Sequence, residues 1–196
     1  MESIFFNILL LGDSNVGKTS LIIRFIKGSF EENSSSTVGL QFEDKEIIIN
    51  NKKIRLHILD TAGQEKYRAI AKTAIKSANG IIFVFDLNNE ESIDNIKYWL
   101  MSSLEISNDF NKILVGNKCD LIREKKPDKI KKLIEKYNFK YFEASAKNGT
   151  NVELIFNEIA EIILSGLSEN DIKEKYIKIN EQSTNSKKKK NCCNKK

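Results

Sequence analysis

Short apolar runs alternate along this 196-residue chain with longer segments in which apolar residues recur every three or four positions. The first pattern is typical of buried strands and the second of amphipathic helices. Strands are predicted at residues 4–11, 40–49, 52–60, 80–86, 112–116 and 139–144. Helices are predicted at residues 17–27, 90–107, 127–137 and 151–164. Because strands alternate with helices, the pattern predicts an α/β fold with a mostly parallel sheet.

The short polar connections between these segments indicate how the strands are joined. Only Asn50 and Asn51 separate strands 40–49 and 52–60, and such a pair favours a hairpin turn. One edge strand of the sheet is therefore predicted to be antiparallel. Residues 31–36 are polar and rich in Ser, and we predict a loop there.

The last predicted helix, at residues 151–164, has a continuous apolar face. The residues of this face are Val152, Ile155, Phe156, Ile159 and Ile163. Beyond about Ser168 the apolar periodicity is lost, and Asn, Ser and Lys become frequent. We therefore predict one folded domain at residues 1–167 and a flexible basic tail at residues 168–196.

The net charge of +5 is distributed unevenly along the chain. Residues 182–196 carry six Lys and no acidic residue, which leaves 26 basic and 27 acidic side chains in the first 181 residues. This balance disfavours nucleic-acid binding, which usually needs a basic face on the folded domain. A basic tail instead favours contact with an anionic membrane surface.

The cysteines and the apolar runs indicate the compartment. Cys119, Cys192 and Cys193 do not have the pattern of a disulfide framework. The amino terminus lacks the basic and apolar regions of a signal peptide, and no apolar run approaches the length of a membrane span. We expect a protein of the reducing cytosol.

Residues 12–19, Gly-Asp-Ser-Asn-Val-Gly-Lys-Thr, match the phosphate-binding pattern G-x-x-x-x-G-K-S/T. They lie between a predicted strand and a predicted helix, which disfavours the alternative of a plain turn that contains Gly. Backbone N–H groups of such a loop and of the helix N-terminus bind phosphate oxygens. Lys18 is predicted to reach the β- and γ-phosphates, and the Thr19 hydroxyl to bind Mg²⁺. The nucleotide-binding residues predicted in this segment are Asp13, Ser14, Asn15, Val16, Gly17, Lys18, Thr19 and Ser20.

A second motif, Asp-Thr-Ala-Gly-Gln-Glu at residues 60–65, follows the half-buried strand 52–60. The Asp60 carboxylate could hold Mg²⁺ through water. Gly63 could bring its backbone N–H to the γ-phosphate, and Gln64 could orient an attacking water. The pattern D-x-x-G alone often marks only a turn, but its place one strand after the phosphate loop favours the functional interpretation.

A third motif, Asn-Lys-Cys-Asp at residues 117–120, follows the predicted strand 112–116, at the end where sheets of this class bind ligands. The two carboxylate oxygens of Asp120 match two adjacent N–H donors of guanine, and adenine lacks this pair. Asn117 is predicted to tie the base to the phosphate loop, and the stem of Lys118 to cover the ring. The alternative is a polar turn after the strand. A fourth segment could donate backbone N–H groups to the guanine O6, through Ser145, Ala146 and Lys147.

These four motifs, in this order and spacing, resemble those of the Ras-superfamily small GTPases, and within them the Rab family, over about residues 4–166. The resemblance implies a P-loop G domain with a six-stranded, mostly parallel sheet, one antiparallel edge strand and helices on both faces. It implies that Phe30 stacks on the guanine ring. It also implies that Thr37 binds Mg²⁺ and senses the γ-phosphate in a first switch, and that residues 60–64 open a second switch.

Further segments carry the resemblance to Rabs: residues 37–42, residues 66–70, and residues 89–96 before a helix that contains Trp99. We interpret Trp99 as a packing residue of that helix. The chain departs from the Rab pattern at Leu59, where Rabs usually carry a Trp, and at Gln41, where an Asp is common. These departures leave the nucleotide chemistry intact and leave the subfamily and the effectors open.

The end of the tail also resembles Rabs, because Cys192 and Cys193 follow four consecutive Lys at residues 187–190. In Rabs two nearby cysteines are geranylgeranylated. Two lipid chains with a polybasic run would give stable anchoring to a membrane. A solvated tail with unmodified thiols, and acylation, are the alternatives.

Taken over from the family, the function is a membrane-anchored switch in vesicle trafficking that binds GTP or GDP with Mg²⁺. Gln64 and Lys18 are the implied catalytic residues, and no arginine finger is evident within the chain, so hydrolysis should be slow without an activating protein. The implied partners are an exchange factor, a GTPase-activating protein, a GDP-dissociation inhibitor or escort protein, and effectors. The implied location is the cytoplasmic face of an endomembrane, with an extracted cytosolic pool.

Two other functions fit this sequence less well. A nucleotide-loaded scaffold with little turnover is disfavoured by the joint presence of the residues that bind Mg²⁺ and orient water. An ATP-using P-loop enzyme is disfavoured by Asp120, whose carboxylate does not match adenine.

Overall fold

The structure, a computed structural model, describes residues 3–30, 40–61, 68–121, 128–168 and 171. The elements in chain order are β1 (Ile4–Leu11), α1 (Lys18–Lys27), β2 (Leu40–Ile49), β3 (Lys52–Thr61), α2 (Arg68–Ser77), β4 (Gly80–Asp86), α3 (Glu90–Asp94), α4 (Ile96–Leu104), β5 (Asn111–Asn117), α5 (Asp128–Tyr137), β6 (Lys140–Glu143) and α6 (Val152–Ser165). Within the described ranges, six strands form one sheet in the order β2-β3-β1-β4-β5-β6. β2 is antiparallel to β3, and the other neighbouring pairs are parallel. The predicted α/β fold with one antiparallel edge strand is confirmed.

The β2–β3 connection is a tight hairpin turn. Asn50 and Asn51 both have positive φ values, 50° and 61°. Two-residue hairpin turns of type I′ require this conformation, and Asn adopts it at lower cost than most residues. The register pairs Ile49 with Lys52 directly across the turn, as the sequence predicts.

Two apolar layers cover the two faces of the sheet, because the side chains of β1 alternate between them. Its residues Ile4, Phe6, Ile8 and Leu10 pack against α1 and α6. Leu9 and Leu11 face the opposite layer, which includes α2, α4 and α5. In the first layer, the rings of Phe25 and Phe156 stack with centroids 4.1 Å apart. The five apolar residues predicted for the face of α6 are all buried. Helices thus cover both faces of the sheet, as expected.

The helices differ from the prediction at two places. α2 was not predicted, and the helix predicted at residues 90–107 is divided into α3 and α4 at Asn95. Asn95 keeps a helical backbone, with φ −71° and ψ −14°, but its side-chain amide donates to the Asp13 carboxylate 2.8 Å away. Asn is a weak helix former because its side chain finds such competing partners. Among the helices in the described ranges, none is both long and apolar enough to span a bilayer.

The parallel strands bring the predicted motifs to one edge of the sheet. β1, β3, β4, β5 and β6 run in the same direction, so their carboxyl ends lie side by side. Residues 12–19 follow β1 at the centre, Asp60 lies near the end of β3, and residues 117–120 begin at the end of β5. Open α/β sheets bind ligands at this edge. The loop predicted at residues 31–36 and Pro127 lie outside the described residues.

Candidate nucleotide-binding site

Two glycines give the phosphate loop a path that no larger residue could follow. Gly12 has φ +151°, and a Cβ at this position would lie 2.0 Å from the Val84 carbonyl oxygen of β4. Gly17 has φ +93°, and a Cβ there would lie 2.4 Å from Nδ2 of Asn117. Both approaches are far inside van der Waals contact, so the loop lies against β4 and Asn117 only because Cβ atoms are absent.

The loop leads directly into the N-terminus of α1. The cap residue Gly17 provides no side-chain hydrogen bond, and the first turn contains no acidic residue. Helix N-termini carry N–H groups without intrahelical partners and a partial positive charge. This end of α1 therefore suits an anion such as a phosphate.

Lys18 lies over the loop and is almost completely buried. Its Nζ donates to the Gly12 carbonyl at 2.8 Å and to the Asp13 carbonyl at 2.7 Å. Burial lowers the pKa of Lys18 from its usual 10.5 to about 8, although the carboxylates of Asp60 and Asp13 oppose this shift. A bound phosphate would favour the charged ammonium and raise that pKa again.

Thr19 and Asp60 meet at the side of the loop. The Thr19 hydroxyl donates to Oδ2 of Asp60 at 2.5 Å, and Asp60 is only 3% exposed. A hydroxyl and a carboxylate are hard oxygen ligands of the kind that Mg²⁺ prefers. In the described part of the chain, no group of three or more His, Cys, Asp or Glu side chains could hold a metal. The pair therefore fits Mg²⁺ that takes its other ligands from phosphate and water.

Asn117 joins the phosphate loop to the predicted base site. Its Nδ2 donates to the Val16 carbonyl at 2.8 Å, and its Oδ1 accepts from the Ala146 N–H at 3.2 Å. The side chain is 1% exposed, and both ends of its amide have partners. One buried residue at the end of β5 thus connects the loops that follow β1 and β6.

Asp120 is held beside the same loops. The Ser145 hydroxyl donates to Oδ1 of Asp120, and Ser145 itself is fully buried. Lys118 precedes it with φ 63°, a left-handed conformation that turns the chain sharply after β5. The hydrogen bond from Ser145 holds the Asp120 carboxylate, which is predicted to bind guanine.

Sequence reasoning missed Arg24, which supports the base loop from α1. Its Nε donates to the Ala146 carbonyl at 2.7 Å, its Nη1 donates to Gly28 at 2.6 Å, and its Nη2 donates to Lys147. A guanidinium presents its donors in a fixed planar fork, so one side chain serves three carbonyls. In the sequence Arg24 looks like an ordinary basic residue of a helix's last turn, and no local signal marks this role.

Asp86, at the end of β4, was also missed. Its Oδ2 lies 2.7 Å from Nζ of Lys118. The only sequence signal is its position, because it ends an apolar strand on the same sheet edge as Asp60 and Asn117. The ion pair holds Lys118 beside the predicted base site.

The predicted residues that the structure describes lie along this edge, except that Phe30 follows α1 and is half-buried against the apolar layer of α1 and α6. Asp13 directs its carboxylate to Asn95 and Trp99, so any contact of Asp13 with phosphate is expected through its backbone. The remaining predicted residues, Thr37, Gly63, Gln64, Cys192 and Cys193, lie outside the described residues. Their roles stay predictions.

Comparison with known proteins gives consistent matches. The model of the Ras family matches residues 7–165. The Ras-related protein Rab-8B of Pongo abelii is 42% identical over 166 residues, which cover 83% of this chain and 80% of that protein. Rab-13 of Canis lupus familiaris is 42% identical over 162 residues, 81% of this chain and 80% of that protein. Rab-1D of Dictyostelium discoideum is 42% identical over 174 residues, 87% of this chain and 84% of that protein.

The family match covers most of the chain, and these relatives align over most of their own length. The resemblance stated from the four motifs is thereby confirmed, and with it the binding of GTP and GDP. Family membership also implies regulators and effectors in general. The chain therefore belongs to the Ras family and, within it, is a Rab-like small GTPase, which hydrolyses GTP to GDP and acts in vesicle trafficking.

Proposed function

We propose that the guanine nucleotide binds along the carboxyl edge of the sheet, with its phosphates on residues 12–19 and its base at Asp120. The hydrogen bonds of Asn117 to Val16 and to Ala146 support this most strongly, because they place the two half-sites in one rigid unit. A nucleotide that spans both half-sites gains from their fixed spacing, since little ordering remains to be done on binding. Ser145 and Arg24 hold the base side of the site in the same way.

We propose that Thr19 and Asp60 hold Mg²⁺ beside the phosphates. When bound, Mg²⁺ neutralises charge that develops on the phosphate oxygens. Thr19 lies in the first turn of α1 and Asp60 near the end of β3, so both belong to regular secondary structure. Thr37 is the further ligand that the family resemblance implies.

Removal of Mg²⁺ tests this placement. We expect chelation with EDTA to speed GDP release from the wild-type protein by about 10-fold or more, because charge repulsion between the phosphates and Asp60 returns. Thr19→Ala should release GDP fast even in excess Mg²⁺ and respond little to EDTA. Ser165→Ala, a hydroxyl deletion far away at the end of α6, is the control and should behave as wild type. If Thr19→Ala keeps the full EDTA response, Thr19 is not a ligand.

We propose that the site works as a two-state switch. With GTP, the regions of Thr37 and Gly63 contact the γ-phosphate and become ordered, and these contacts are lost after hydrolysis. Gln64 orients the attacking water, and Lys18 supports the charge that develops on the β- and γ-phosphates. An exchange factor sets the rate of nucleotide exchange, and a GTPase-activating protein sets the rate of GTP hydrolysis. Effectors bind the GTP form.

We propose that geranylgeranyl groups on Cys192 and Cys193, together with the Lys residues at 187–190, anchor the protein to the cytoplasmic face of an endomembrane. A GDP-dissociation inhibitor or escort protein would extract it into a cytosolic pool. Two lipid chains are needed because one chain gives only marginal, reversible binding.

The lipid groups are measurable directly. We expect mass spectrometry of the carboxyl-terminal peptide from native cells to show two geranylgeranyl groups, one on each Cys. The Cys192→Ser and Cys193→Ser variants should each carry one group and shift toward the soluble fraction, whereas Cys119→Ser should not shift. Unmodified thiols or fatty acyl groups at these positions would contradict the proposed anchor.

A further inference from the structure

The Asp13 side chain in the phosphate loop is held by a helix that the nucleotide mechanism does not use. Its Oδ2 accepts a hydrogen bond from Nδ2 of Asn95 at 2.8 Å. Its Oδ1 accepts one from the indole Nε1 of Trp99, also at 2.8 Å. Asn95 and Trp99 lie 82 and 86 residues further along the chain, so this is a tertiary contact between the loop and α4. We call these three residues the Asp13 latch.

The two donors are placed by the start of α4. Asn95 and Trp99 are one helical turn apart, and the Trp99 N–H donates to the Asn95 carbonyl at 3.1 Å. Residues four apart lie on the same face of a helix, so both side chains can reach one carboxylate.

α4 itself is fixed in the fold. Ile96 and Leu100 are buried in the apolar layer that also includes α2 and α5. The Ser103 hydroxyl donates to the Trp99 carbonyl at 2.8 Å. The two donors, Asn95 and Trp99, are therefore fixed in position, and they hold the Asp13 carboxylate in place.

The position of Asp13 gives the latch its significance. An acidic side chain next to bound phosphates repels them, and this repulsion is strong where water is partly excluded. Asp13 is close to that site, because its own carbonyl accepts from the Lys18 ammonium at 2.7 Å. In the latch, both carboxylate oxygens accept hydrogen bonds from donors at the start of α4.

We propose that Asn95 and Trp99 are positioning residues of the nucleotide site, which hold the Asp13 carboxylate on α4 and away from the phosphates and so slow nucleotide release. This inference rests on the proposed binding of the phosphates by residues 12–19. Trp99 thus has a role beyond the packing that the sequence suggested. Its hydrogen bond makes the conformation of the phosphate loop depend on α4.

A double-mutant cycle on the full-length protein tests the latch. The readout is the release rate of fluorescently labelled GDP in excess Mg²⁺. Trp99→Phe removes the indole donor but keeps an aromatic ring, and we expect release to become about 10-fold or more faster, the equivalent of losing one hydrogen bond to a charged group. In the Asp13→Ala background the same Trp99→Phe change should have no effect, because no carboxylate remains to be held. Met101→Leu, an exposed change on the same helix, is the control and should match wild type.

The cycle separates the latch from a purely structural role of Trp99. If Trp99→Phe speeds release equally with and without the Asp13 carboxylate, the effect comes from lost packing and the latch is wrong. If wild type and Trp99→Phe release GDP at the same slow rate, the latch fails while the proposed site stands. If wild-type protein does not retain GDP in excess Mg²⁺, the proposed site fails and the latch fails with it.

A second variant pair avoids changes in aromatic packing. Asn95→Asp places a second carboxylate against Asp13, and we expect faster GDP release than from wild type. Combining it with Asp13→Asn exchanges donor and acceptor and should bring the rate back toward that of wild type. A double variant that releases GDP as fast as Asn95→Asp alone would contradict the latch.

Discussion

Asp120→Asn should weaken GDP binding by about 10³-fold or more and make xanthosine diphosphate the preferred ligand. The carboxylate offers two acceptors to the two adjacent N–H donors of guanine. An amide offers one acceptor and one donor, which match the N–H and the carbonyl that xanthine presents at the same edge. The large loss for GDP follows because the mismatched edge leaves buried polar groups without partners.

The structure makes this substitution a specific probe. Ser145 donates to Oδ1 of Asp120, and the amide oxygen of an Asn can accept the same hydrogen bond. The loop should therefore keep its conformation, and only the base edge changes. Competition of GDP and xanthosine diphosphate for the labelled nucleotide measures the effect. Asp109→Asn, at an exposed position between α4 and β5, is the matched control. If Asp120→Asn still prefers guanine strongly, the assignment of Asp120 is wrong.

Gln64→Leu should slow the hydrolysis of bound GTP by about 10-fold or more and leave the protein in its GTP form. The amide of Gln64 is expected to orient the attacking water, and Leu has a similar size but no polar group. GDP and GTP affinity should change little, because the water is not part of the bound nucleotide.

Single-turnover hydrolysis of preloaded GTP checks this expectation. The rate of phosphate release is compared for the wild-type protein, Gln64→Leu and the control Gln182→Leu, which makes the same change in the tail. An unchanged rate in Gln64→Leu would remove the catalytic role from this residue. A rate below detection in the wild type as well would favour a nucleotide-loaded scaffold.

The strands were predictable because their signals are local. Runs such as 4–11 and 80–86 are almost entirely apolar, which suits central strands that are covered on both faces. The pair Asn50 and Asn51 predicts a hairpin, because these residues tolerate positive φ. The phosphate loop was also predictable, because residues 12–19 match a known phosphate-binding pattern. The structure gives the reason for two positions of that pattern, since Gly12 lies close to β4 and Gly17 lies close to Asn117.

The contacts that support the site were not predictable, because they connect residues far apart in the sequence. Asn95 reads as part of one long helix, yet its side chain contacts the phosphate loop and marks the division between α3 and α4. Trp99 reads as a packing residue, but its N–H serves Asp13. The carbonyls of the base loop that Arg24 binds lie 122 and 123 residues away. No periodicity or spacing along the chain contains this information.

The proposed site should make this member of the Ras family specific for guanine and let it retain its nucleotide together with Mg²⁺. The most direct test is the nucleotide recovered when the wild-type protein, purified in Mg²⁺, is denatured and its supernatant is separated by chromatography. We expect close to one guanine nucleotide per protein chain, mainly GDP, because slow release keeps it bound and hydrolysis converts GTP. Recovery of an adenine nucleotide, or of no nucleotide from folded protein, would contradict it.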